Sequence, residues 1–166
     1  MCIRDRNENV ACWKAALMSD GPAAFVCSRQ KLDVLKPKAD FGDASRGGYL
    51  VKKREGATIT LLASGSEVML ALRSGCDLEK DGILANVVSL PCMEIFNDQD
   101  EIYRSQVIDP STKTVAIEAA SGVEWYRYAQ MVIGMESFGA SGEASSLFKK
   151  FGFTQEAICA KVRTIL

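Results

Sequence analysis

The residues able to do chemistry in this chain are defined first by a gap. Histidine is absent from all 166 residues. The commonest general base near neutral pH is therefore missing, as are imidazole zinc ligands. Catalysis by this chain alone would fall to carboxylates, lysine, cysteine or tyrosine, which counts against a self-contained enzyme. The six cysteines are Cys2, Cys12, Cys27, Cys76, Cys92 and Cys159. No two form a CxxC pair, so a structural zinc site is disfavoured. Scattered among apolar positions, they read as reduced, buried thiols. Cys92 follows Pro91 near a helix start, where a thiol's pKa can fall, but no histidine stands by to activate it as a nucleophile.

Three turns have the composition of ligand loops. Ser64-Gly65-Ser66-Glu67 follows an apolar run, as a phosphate-binding turn would. It is one glycine short of a dinucleotide fingerprint, and a serine three residues before a glutamate is the signature of a helix capping box, so structural capping is the preferred reading. Glu118-Ala119-Ala120-Ser121-Gly122 also follows a strand and could present Glu118 as a general base; a strand-end glutamate that caps a helix or pairs with an arginine is the simpler account. Gly139-Ala140-Ser141-Gly142 reads as a turn before a helix N-cap. Arg29 ends a short apolar run, and on its own would be read as a solvated loop residue. Trp125 and Tyr128 read as core or interface packing, and Lys149 and Lys150 as a solvated face.

Bulk properties narrow the class further. Lys plus Arg total 20 against 21 Asp plus Glu, and charged residues make up 25% of the chain. There is no basic excess to neutralise a phosphate backbone, so no nucleic-acid partner is expected. An apolar fraction of 48% is enough to bury a core, and no apolar run approaches the roughly 20 residues of a membrane span. With no secretory leader in evidence, a cytoplasmic location is expected.

The elements that must position these groups are legible from periodicity. Residues 9–18 predict a helix, with Val10, Trp13, Ala16 and Leu17 on one face. Asp20-Gly21-Pro22 stops it. Residues 23–28 predict a buried strand. Residues 1–6 show no pattern that fits the downstream elements and are read as a scar or misjudged start, outside the fold. Residues 31–44 predict a linker, within a Lys- and Asp-rich stretch punctuated by Pro37, Gly42, Gly47 and Gly48. From residue 45 the predicted order is β-β-α-β-α-β-α-β-α-α. The first two strands, 49–53 and 58–63, are joined closely enough to predict an antiparallel hairpin. Val68, Leu72 and Cys76 mark the inner face of the next helix. Residues 84–90, 114–118 and 131–135 supply three more strands. Asp98 is expected to cap a helix with Ile102 facing in, and Thr154 to cap the last helix, where Ile158, Val162 and Ile165 form a stripe. Strands separated by helices run parallel through right-handed crossovers. The expected fold is thus α/β: a five-stranded mixed sheet, four strands parallel and one antiparallel, with helices on both faces. A partial α/β segment precedes it. One helix and one strand cannot bury their own apolar faces, so that segment reads as the end of another domain.

Six motifs, in order and at similar spacing, resemble the C-terminal region of transketolases. They are Val26-Cys27-Ser28-Arg29-Gln30, Arg46-Gly47-Gly48-Tyr49, the run from Thr60 through Ser64-Gly65-Ser66-Glu67-Val68, Val87-Val88-Ser89-Leu90-Pro91-Cys92, Phe138-Gly139-Ala140-Ser141 and Lys150-Phe151-Gly152-Phe153-Thr154. The resemblance implies that residues 7–30 end a pyrimidine-binding domain, residues 31–44 link, and residues 45–166 are the C-terminal domain. It implies an enzyme that moves a two-carbon ketol unit from a ketose phosphate to an aldose phosphate. That enzyme would act as a homodimer with thiamine diphosphate and Mg2+, whose ligands lie upstream, so no cofactor, metal ligand or catalytic residue is expected here. One site residue carries over: the arginine of the Ser-Arg-Gln motif, here Arg29, would clamp the substrate's terminal phosphate, with Ser28 and Gln30 positioning it. A guanidinium at the carboxyl end of a strand suits that task. Two alternatives stay open: the matching part of a 1-deoxyxylulose-5-phosphate synthase or 2-oxo-acid dehydrogenase β subunit, and a stand-alone α/β binding or regulatory module. Alone, the segment is expected to be inactive.

Overall fold

The apolar five-residue run Ile59–Ala63 is buried on both faces, as a central strand of a parallel sheet must be. It is β4 in the computed structural model, which describes residues 1–36 and 43–166. The elements are β1 (Cys2–Ile3), α1 (Arg6–Leu17), β2 (Val26–Cys27), β3 (Tyr49–Lys52), β4, α2 (Glu67–Lys80), β5 (Ala85–Ser89), α3 (Met93–Asn97), α4 (Glu101–Val107), β6 (Lys113–Ile117), β7 (Met131–Ile133), α5 (Ala144–Lys150) and α6 (Gln155–Arg163). Short 3-10 turns occupy Ala44–Arg46 and Val123–Arg127.

Strands β3 to β7 form one sheet in the order β3-β5-β4-β6-β7. The pairs β5–β4, β4–β6 and β6–β7 are parallel, and β3 runs antiparallel to β5. The expected five-stranded mixed sheet with four parallel strands is borne out. The expected hairpin is corrected: β3 pairs with β5, not β4. Adjacent strands lie about 4.8 Å apart, so hopping one strand needs about 10 Å, which residues 53–58 span easily. The turn is held over β5 by the Arg54 amide, which donates to Asn86 Oδ1 at 2.8 Å.

Alternation sends Ile59, Leu61 and Ala63 to one side of the sheet and Leu62 to the other. On the first side they meet Val68, Ala71 and Leu78 of α2 and Ile158, Cys159 and Val162 of α6. On the second, Leu62, Val88 and Ala116 meet Phe96, Tyr103, Val107 and Trp125. The predicted stripe of α6 and its Thr154 cap hold, the threonine accepting from the Ala157 amide at 3.3 Å. Three local readings are corrected. Cys76 is exposed, because the inner face of α2 runs through Val68, Ala71, Gly75 and Leu78. Asp100, not Asp98, caps α4, accepting from the Tyr103 amide at 2.8 Å; that register turns Tyr103 and Val107 inward and leaves Ile102 73% exposed. The capping box at Ser64 does not form: α2 begins after Ser66, which makes no capping hydrogen bond through its side chain.

The N-terminal segment departs furthest from expectation. Instead of a buried strand over 23–28, only Val26–Cys27 is extended, and both residues are exposed. Strand β2 pairs in parallel with β1. The predicted apolar stripe of α1 faces out, with Val10, Trp13 and Leu17 exposed, and Glu8 and Cys12 face in. Leaving residues 1–6 outside the fold is likewise corrected: Ile3, Arg4 and Asp5 are buried, and Asp5 caps α1 by accepting from the Asn7 and Glu8 amides. The predicted linker is irregular over 31–36. Pro37 and Gly42 lie outside the described residues.

Candidate functional site

In parallel α/β sheets, ligands gather at the carboxyl ends of strands. Here the turns that follow β2, β4 and β6 converge on one cleft of about 290 Å3. Ser28 and Arg29, the turn Ser64-Gly65-Ser66-Glu67, and Glu118 all line it. The sequence reading assigned these groups separate roles; the fold brings Arg29, the serine turn and Glu118 together. Their shared signal, a place just after a strand's carboxyl end, is visible in the sequence only once the strands are known to align.

Arg29 is exposed. None of the ion pairs among the described residues involves it. A guanidinium with no carboxylate on it keeps its donor fork open for an oxyanion. Glu118, expected to cap or pair with an arginine, instead accepts from Trp125 Nε1 at 3.1 Å and Ser64 Oγ at 3.2 Å. Burial raises its carboxyl above the ordinary range, and those two donors oppose the shift. Glu67 is also buried. Desolvation raises its pKa, Ser66 Oγ at 2.7 Å opposes this, and the neighbouring Glu118 charge adds to the rise. Both shifts run in the direction of the neutral form, with desolvation the leading cause.

Other candidates settle outside the cleft. Cys92 is buried and its thiol is pushed up by desolvation, the reverse of an activated nucleophile. Trp125 is in the core, Lys149 and Lys150 are solvated, and the Gly139–Gly142 turn is exposed.

The model of the family described as "Transketolase-like TK C-terminal domain" matches residues 47–154. The chain belongs to the transketolase family. Transketolase 2 of Pasteurella multocida is 40% identical over 98% of this chain and 26% of its own length. The crystal structure of transketolase from Campylobacter jejuni superposes with a TM-score of 0.93 at 43% identity, over 98% of this chain and 25% of that one. A Pichia stipitis transketolase in complex with sedoheptulose 7-phosphate superposes with a TM-score of 0.88 at 34% identity, over 98% and 24%. The chain thus spans about a quarter of the length of the transketolases it matches. The match includes the N-terminal segment with Arg29 as well as the five-stranded domain.

Among the described residues, no group of three or more His, Cys, Asp or Glu could hold a metal ion. No helix of the described residues is long and apolar enough to cross a membrane.

Proposed function

We propose that this chain is the C-terminal part of a transketolase that transfers a two-carbon ketol unit from a ketose phosphate to an aldose phosphate, with Arg29 receiving the substrate's terminal phosphate. The supporting observation is the position of Arg29: just past the carboxyl end of β2, lining the cleft, with no ion pair to any of the described residues. A guanidinium there can bind phosphate in bidentate fashion with a permanent charge. It would fix the substrate's distal end and leave the reacting carbons to groups supplied by the rest of the enzyme.

In this reading, thiamine diphosphate and Mg2+ belong to the full-length enzyme and take their ligands from residues outside this chain. The working enzyme is a cytoplasmic homodimer. Residues 7–30 close its pyrimidine-binding domain, residues 31–44 link, and residues 45–166 are its C-terminal domain, which packs on the others and supports assembly. The exposed outer face of α1, with Val10, Trp13 and Leu17, is suited to be covered by the upstream part of the first of these.

The test is a chimera in which this chain replaces the matching quarter of the Campylobacter jejuni enzyme. Arg29→Ala is expected to raise KM for a phosphorylated ketose donor at least tenfold, with kcat little changed and a non-phosphorylated donor unaffected. An equal effect on both donors would remove the phosphate role. The isolated chain should show no ketol transfer; turnover above background would overturn the reading of it as one part of the machine.

A further inference from the structure

Strand β2, which leads into Arg29, is anchored through its neighbours: Phe25, just before it, stacks on Trp13 of α1 and packs against the apolar cluster there. Both of its residues are exposed, and its one ladder partner is β1. The Val26 amide also donates to the Met1 carbonyl at 2.9 Å, and the Cys2 amide to the Pro91 carbonyl at 2.7 Å. Whatever seats β1 and α1 therefore seats Arg29.

Among the described residues, the apolar cluster beneath β1 and α1 buries Ile3, Cys12 and Ala44, with Met1, Ala11, Phe25 and Tyr49 packed partly buried against it. Beside it is a buried polar one. Arg4, Asp5 and Glu8 are 5%, 8% and 2% exposed. Glu8 Oε1 accepts from Ser89 Oγ at 2.6 Å and from the Tyr49 hydroxyl at 3.1 Å. Its Oε2 accepts from the Arg4 amide. Arg4 Nη2 donates to the Tyr49 hydroxyl at 2.6 Å, and Arg4 Nη1 lies 2.8 Å from Asp5 Oδ2. That same Asp5 oxygen accepts from the Leu35 amide at 2.8 Å. Residues 4–8 thus grip β3 through Tyr49, β5 through Ser89, and the chain beyond β2 through Leu35. Desolvation raises the Glu8 carboxyl, with the Arg4 charge the strongest opposing influence and Ser89 next.

We propose that Glu8 is a positioning residue, the buried latch that seats the strand leading into Arg29 on the five-stranded domain. The functional consequence rests on the phosphate role argued for Arg29; the latch itself does not. A polar latch is directional where apolar contact is not. Two hydroxyls from two different strands must meet one carboxylate oxygen, so the N-terminal segment has one docked register, and Arg29 has one place on the cleft. Removing one member of a buried charged cluster leaves its partners without compensation, so loosening Glu8 should undock the whole segment.

Hydrogen exchange on this chain tests the latch. Glu8→Ala is expected to speed exchange in residues 1–17 and 24–30 at least tenfold and leave β4 and β5 unchanged. Ser89→Ala, which removes one donor from the domain side, should give the same pattern more weakly, and it decides the matter if Glu8→Ala does not fold. Glu8→Gln, which keeps an acceptor for both hydroxyls, should partly restore protection. Unchanged exchange in 24–30, or equal acceleration in β4 and β5, would overturn the latch. Titration with inorganic phosphate, followed through the Arg29 Nε–H resonance, separates the two claims. If the unaltered chain shows no shift while the exchange pattern holds, the phosphate role fails and the latch stands.

Discussion

Replacing Gly47 with alanine should cost this fold more than the same change at any open turn. Gly47 sits at φ +82, the left-handed region, as the last residue of the turn that leads into β3. Its carbonyl accepts from the Cys92 amide at 3.0 Å, so the start of α3 lies directly on it. A Cβ there would stand 2.5 Å from the Cys92 carbonyl oxygen and closer still to the Phe96 amide nitrogen. Both are backbone atoms and cannot swing aside. The left-handed conformation costs an alanine about 1–2 kcal/mol, and forced displacement of a packed neighbour about 1–3 kcal/mol more. The sum, about 2–5 kcal/mol, should lower Tm by roughly 4–20 °C for a chain of this size. Gly82 supplies the control: its φ is +78, but nothing lies within 4 Å of its Cβ position. Gly82→Ala should carry only the conformational part. Calorimetry on both variants isolates the collision as their difference, and gains from a stiffer unfolded chain cancel between them. Equal melting temperatures would refute the close approach of Gly47 to α3, and with it the physical reason that glycine occupies this position.

Three further outcomes are expected. Because burial raises the Glu118 carboxyl above its ordinary 4.5, its contribution to stability is fully present below that value and is lost as pH rises through the raised pKa. Trp125 donates to Glu118, so Trp125 emission should titrate with a midpoint above 4.5, and Glu118→Gln should flatten the curve; a wild-type midpoint at or below 4.5 would contradict the burial argument. Ile158, fully buried on α6, should cost about 2–5 kcal/mol when cut to alanine, whereas Ile102→Ala should stay within about 0.5 kcal/mol; denaturant melts that rank the two the other way would reverse the assigned faces. With a thiol reagent, exposed Cys27 and Cys76 should react quickly, while Cys12, buried and pushed up to about 12 by desolvation, should react only on unfolding; rapid labelling of Cys12 would place the inner face of α1 in solvent.

Much of this protein was readable along the chain. Alternation and 3.6-residue periodicity are local, so the strand–helix order from residue 45, the parallel sheet and the inward stripe of α6 followed from the residues themselves. The absence of histidine was equally plain, and the spacing of six motifs pointed to the family. What the sequence could not convey was which distant groups share a place. Strand order is a matter of long-range pairing, so β5 came between β3 and β4 although the short connection suggested a hairpin. A cap is chosen by the register of the whole helix, so Asp100 displaced Asp98. Ser64 looked like a cap until Glu118, 54 residues away, proved to be its partner. The two cleft carboxyls could be located along the chain but not perturbed there, because desolvation comes from the packing of the whole fold. Arg4 and Asp5 fell in the stretch read as lying outside the fold, and Glu8 just ahead of the predicted helix; ordinary patterning sends such residues to solvent. Only the hydroxyls of Tyr49 and Ser89, brought from two strands of the folded sheet, make it favourable to bury them.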